Sequence, residues 1–168
     1  DKAEFRTAFL ASLRKLPAVP PGPYHRCPEA GFLPVALQTD HAEVWKAVQY
    51  VTKRADVALR VGNLKTMWFP YELEVESNPG TRPSRGDRKR LDLLAAFLDD
   101  GSIRDVSTDP KKYDIPDGRE LFPRIEVRNY AAMVLASLLR LTPDPDENWK
   151  PEEWARLREQ VRKALRNR

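Results

Sequence analysis

The residues that most often announce chemistry are scarce in this chain. A single cysteine, Cys27, excludes an internal disulfide and any cysteine-rich zinc site, while leaving the redox compartment open. Seven glycines supply no phosphate-cradling turn, since neither G-x-x-x-x-G-K-[ST] nor G-x-G-x-x-G occurs. Long apolar runs are missing too. The stretch Asn129 to Leu139 holds eleven residues without a charge, but Glu126, Arg128 and Arg140 bracket it and a membrane helix needs about 20 apolar residues. The chain therefore reads as soluble, with that stretch forming a helix buried on more than one side. It starts at Asp1 and not at a methionine, so it reads as a processed product or an excised fragment whose preceding signal segment, if any, is out of view.

What is abundant is proline, at fifteen residues in 168, alongside 41% hydrophobic and 32% charged residues. Those proportions suit one globular domain, able to bury about two-thirds of the surface that its unfolded form exposes. So many prolines predict long, stiff connections between helices. The first helix is expected over Lys2 to Leu16, with Phe5, Phe9, Leu13 and Leu16 on one stripe. A proline-rich arm occupies 17–38. Helical hairpins fill 40–141: one helix carries Val44, Val48, Val51 and Ala55, and a short helix capped by Asp56 carries Val57, Val61, Leu64 and Met67 or Trp68. Trp68 to Val75 reads equally as a short strand or an ordered loop. A third helix, capped by Asp87, carries Leu91, Leu94, Phe97 and Leu98 and ends at Asp99, Asp100 and Gly101; 102–123 is irregular, and the uncharged helix spans Ile125 to Leu141. An amphipathic helix over 150–168 starts at Pro151, where proline is best tolerated, and buries Trp154, Leu157, Val161 and Leu165. The class is all-α, with six or seven helices and little or no sheet.

The pairing LLAAFLDDGSIRD (Leu93 to Asp105) with IEVRNYAAMVLASLL (Ile125 to Leu139) resembles HEAT-repeat or armadillo-like helical hairpins over about 45 residues. The matching residues are Asp99 and Asp100 in the turn, Val127 and Arg128 at the helix opening, and Ala131, Ala132, Leu135 and Leu138 along it. That resemblance implies structural roles for Asp99 or Asp100 and for Arg128, with Arg128 paired to an acidic turn; Asn129, also polar and near the helix start, is read beside it as a tie to neighbouring turns. The resemblance also implies HEAT-like helix pairs, arranged as an irregular right-handed α-α superhelix or a compact bundle with long proline-rich loops. No fixed period repeats through the chain, so a terminal or capping piece of an array fits better than a regular one.

Chemical candidates are thin. His25 and Cys27 fall two apart in an extended arm and so share a face, which gives only two metal ligands or an untested thiolate pair, with His41 further on. The acidic residues Asp99, Asp100, Asp105, Asp109, Asp114 and Asp117 lack EF-hand spacing. No catalytic residue, cofactor or metal ligand is assigned. Two basic groups remain for an anion or a partner: Arg82, Arg85, Arg88, Lys89 and Arg90 in and after a polar loop, and Arg162, Lys163 and Arg166 on the last helix. The segment from Lys150 to Arg168 has a net charge of +4, the value for the whole chain, so the remainder balances to zero. Its charges are also those that a helix dipole prefers, with glutamates first and cations last. Trp45 and Trp154 are expected in the core, and Trp68 and Trp149 as loop anchors, with Trp68, Phe69 and Tyr71 the alternative aromatic surface.

The expectation is a non-enzymatic scaffold or protein-interaction module, its partner another protein or other segments of a parent chain. Binding of nucleic-acid phosphates through 82–90 and the last helix is the alternative, followed by a hydrolase or metal-dependent enzyme.

Overall fold

The computed structural model describes residues 2–15, 41–77, 87–106, 122–142, 144–146 and 148–167, apart from the side chains of 2, 5, 68–77 and 87. Among them are six helices and one two-stranded sheet: α1 (Lys2–Arg14), α2 (Ala42–Arg54), α3 (Val57–Ser77), α4 (Asp87–Ala95), β1 (Ile103–Asp105), β2 (Arg124–Glu126), α5 (Val127–Leu138) and α6 (Pro151–Arg166). The class is mostly helical. The arm at 17–38 with His25 and Cys27, the basic residues Arg82 and Arg85, and the acidic residues Asp109, Asp114 and Asp117 lie outside the described residues.

The helical stripes fall where apolar periodicity puts them. Val44, Val48 and Val51 of α2, and Ala55 just beyond it, are buried, as are Val61, Leu64 and Met67 of α3, and Leu91 and Leu94 of α4 with Phe97 and Leu98 just after it. On α6, Trp154, Leu157 and Val161 face inward at helical spacing and Leu165 is half-buried, leaving the charged face to solvent. Asp56 caps α3 as expected: the Leu59 N–H donates to its Oδ1 at 2.8 Å. Pro151 is the first residue of α6, and the Glu153 carboxylate accepts the Lys150 N–H at 2.7 Å, closing the turn ahead of it.

Several boundaries differ from the sequence reading. Residues 68–75 are neither strand nor loop, because α3 runs through Pro70 to Ser77. The second helix follows His41, whose side chain makes no capping bond. Beyond Ala95, α4 tightens into i→i+3 bonds, with the Phe97 N–H to the Leu94 carbonyl at 3.0 Å and the Leu98 N–H to the Ala95 carbonyl at 3.1 Å. The Asp100 carboxylate then takes the Ser102 N–H at 3.0 Å, a local bond that competes with further helix. Ile103–Asp105, expected to be irregular, pairs antiparallel with Arg124–Glu126 in the register Ile103↔Glu126, Arg104↔Ile125 and Asp105↔Arg124. Ile125 and Glu126 are therefore strand, and the central helix begins at Val127.

That helix sits at the middle of the core. From Val127 to Leu138 only Arg128 and Ser137 escape full burial. It packs against α3, α4 and α6, while α2 packs against α1, α3 and α4. The first N–H groups of α5, which have no partner inside a helix, are met by the turn after α4: Val127 donates to the Ser102 carbonyl at 2.9 Å and Arg128 to the Asp100 carbonyl at 2.8 Å. The α4–β1 turn, and the strand β2 that leads directly into α5, thus fix the start of that helix.

Candidate functional site

The strand pairing sorts side chains by face. Arg104 and Ile125 point inward and are buried, with the Arg104 guanidinium over the Tyr130 ring at 5.9 Å. Ile103 and Glu126, together with Asp105 and Arg124, take the outer face. Against that face α5 brings Arg128 and Asn129, and α6 brings Pro151, Trp154 and Arg158. With Ile103, Arg124 and Glu126 of the sheet, and with Phe122, Ile125 and Trp149, they line an open groove of about 390 Å³.

The groove has an aromatic floor. Trp149 and Trp154 lie 5.2 Å apart at 59°, and Phe122 meets Trp154 edge-on at 5.8 Å. Trp149 is half-buried and anchors its loop on the body, as the sequence suggested, while Trp45 and Trp154 belong to the core. Ile103 is 46% exposed and extends the apolar wall.

Around this floor stand three arginines and one carboxylate. Arg128 forms an ion pair with Glu126, and this bond, foremost, raises its pKa above the ordinary arginine value. Arg124 reaches Asp105 at 3.7 Å. Arg158 donates instead to the neutral Oδ1 of Asn129. Burial lowers its pKa, and the nearby Arg128 and Arg162 push the same way against the opposing pull of Glu126 and Asp99.

The acidic turn is engaged elsewhere. Arg162 donates to Asp99 Oδ1 at 2.6 Å and to the Leu98 carbonyl at 3.3 Å. Arg60 donates to Asp100 Oδ2 at 2.6 Å and to the Ala55 carbonyl at 2.8 Å, clasping the α2–α3 turn to the α4–β1 turn. The expected pairing of the Arg128 side chain with that turn is not made: Asp99 and Asp100 are taken by Arg162 and Arg60, the Arg128 guanidinium goes to Glu126, and only its main-chain N–H reaches the turn.

The two expected basic groups divide among different environments. Arg88 is exposed and Lys89 half-buried, but Arg90 is buried, its Nε without a hydrogen-bond partner, so it does not join a surface patch. On α6, Lys163 is exposed, Arg162 is bonded to Asp99, and Arg166 pairs with Glu159 at 3.0 Å. His41 stands 3.3 Å from Arg6 Nη1 at the start of α2. Among the described residues no group of three or more His, Cys, Asp or Glu is gathered as a metal site, and no helix is long and apolar enough to cross a membrane.

Sequence reasoning missed Ile103, Arg124 and Arg158 as groove residues. One signal was readable for Arg158: it follows Trp154 by four residues and precedes Arg162 by four, so the three share a helical stripe that joins core to cation. In comparison with known proteins, the chain matches no family model, no curated protein and no solved structure.

Proposed function

We propose that the chain is a non-enzymatic helical module of HEAT-like construction that binds another polypeptide through the groove between the β-hairpin, α5 and α6. The packing order supports the first half of this reading. Taking α2 with α3 and α4 with α5 as successive hairpins, the first helices touch each other and so do the second helices, which is how stacked helix pairs share a core. The last helix, α6, covers α5 with an apolar face and turns its charges outward, as a capping element does.

The observation that carries the second half is the groove itself, where half-buried tryptophan, exposed isoleucine and arginine converge on a base of packed helices. Aromatic and arginine side chains are the types that dominate protein-recognition hot spots, and fixed elements lower the ordering cost of binding. The phosphate-backbone alternative draws on fewer free cations than the sequence offered, since Arg90 is buried and Arg162 and Arg166 are paired.

The test is selection of ligands from a displayed library of random peptides on the full chain, with Trp149→Ala as the comparison. Recovery of peptides that bind the wild type and lose binding in Trp149→Ala is expected. A selection that yields no such peptide would sink the reading.

A further inference from the structure

The groove carries more positive charge than its own residues compensate. Of its three guanidinium groups, that of Arg128 is met by Glu126 and that of Arg124 by Asp105. Arg158 bonds only to a neutral amide oxygen, and among the described residues no carboxylate lies within ion-pair distance of it. Partial burial beside Arg128 and Arg162 works against its charge, so an incoming anion would relieve both effects.

The surroundings decide which anion. Ile103, Pro151 and Trp149 form an apolar wall beside Arg158, suited to a carbon side chain next to the charge. Trp149 and Trp154 lie 5.2 Å apart and tilted at 59°, so they pack on each other and leave no slot for a base between them. Glu126 already meets Arg128 and Asp105 meets Arg124, so one guanidinium is left uncompensated, which suits one discrete carboxylate and not a run of phosphates.

We infer that the groove takes a short acidic peptide segment, in which one Asp or Glu carboxylate meets Arg158 and Arg128 while a neighbouring apolar side chain rests on Ile103 and Trp149. The inference rests on the reading of the chain as a polypeptide-binding module. Guanidinium donors meet a carboxylate in two parallel charge-assisted hydrogen bonds, and a partly desolvated site strengthens them.

Peptides enriched by the selection are resynthesised with capped ends and titrated by fluorescence anisotropy against wild type, Arg158→Gln and Arg124→Glu, with circular dichroism to verify folding. The enriched sequences should place Asp or Glu beside Leu, Phe or Trp. Replacing that acid by its amide should weaken binding about tenfold or more, and Arg158→Gln should do the same. If Arg158→Gln does not fold, Arg124→Glu carries the test, because the Arg124 side chain is 69% exposed and its charge reversal should weaken acidic peptides far more than neutral ones. Peptides without acids that depend on Trp149 but ignore both arginine changes would overturn the inference and leave the module reading intact. An absence of Trp149-dependent peptides overturns both. A single-stranded oligonucleotide that binds more tightly than every selected peptide, with the same arginine dependence, would reassign the groove to phosphates and overturn the inference as well.

Discussion

At the end of α5 one residue adopts a backbone conformation that its side chain resists. Arg140 has φ 55°, the left-handed region, and the bonds around it form a Schellman cap, with the Leu141 N–H to the Ala136 carbonyl at 2.9 Å and the Arg140 N–H to the Ser137 carbonyl at 3.0 Å. An L-residue there costs about 1–2 kcal/mol, which glycine avoids while adding some entropy to the unfolded chain. Because Arg140 is exposed, Arg140→Gly should stabilise the fold by about 0.5–1 kcal/mol, read as a higher urea midpoint with an unchanged slope. The opposite sign is expected at Asp100. Burial alone would raise its pKa, but hydrogen bonds from the Ser102 hydroxyl and amide and from Arg60 outweigh that and lower it from 3.8. A lowered folded-state pKa means that its stabilising contribution is fully present above the unfolded value and is lost as pH falls through the folded one. Asp100→Asn should therefore be less stable than wild type at neutral pH, with the gap narrowing only below about pH 3.8. A gap that persists unchanged into acid would show that the clasp to Arg60 does not depend on the carboxylate charge.

Helix ends and helix faces follow different kinds of information. The cap of α3 is local, a carboxylate three residues from the N–H it accepts, and Asp56→Ala should cost about 0.5–2 kcal/mol in chemical denaturation. The faces of α2, α4 and α6 were legible for the same reason, since a 3.6-residue period brings apolar side chains onto one stripe without reference to the rest of the molecule. Where the reading failed, the deciding contact was distant. Three-residue strands are too short to show alternation, and Arg104 and Ile125 find each other across about twenty residues. Ile125 and Glu126 consequently looked like helix until their partner was known. Pro70 misled in the other direction, because a breaker inside α3 removes one N–H and yet the helix continues to Ser77. The groove was the least legible feature. Arg128 and Trp149 were singled out separately, one as a helix-opening residue and one as a loop anchor, but only the β-hairpin packed against α5 and α6 brings them to the same surface with Arg158.

Across the whole molecule the packing is centred on α5, and that makes its helices unequal. Three helices, α3, α4 and α6, lean on α5, and both Ala131 and Ala132 are fully buried within it. Small side chains there allow close approach, so no space exists for a longer one. At the other extreme α1 packs against α2, with Leu13 buried and Phe9 and Leu10 only partly so. Ala132→Glu should therefore remove about 3–5 kcal/mol, because it places an unpaired charge in the shared core, a loss comparable with the whole stability of many domains of this size. Leu13→Ala should cost about 2–3 kcal/mol, since it leaves a gap without placing a charge in the core. Native-state hydrogen exchange separates the two cases further: amides of α5 should open only with global unfolding, whereas those of α1 should exchange through local opening at lower free energy. The far-UV circular dichroism of Ala132→Glu should consequently fall across all the helices together. A variant that keeps its helicity and melts near wild type would mean that the stack does not depend on α5, and the placement of the groove on a rigid base would fall with it.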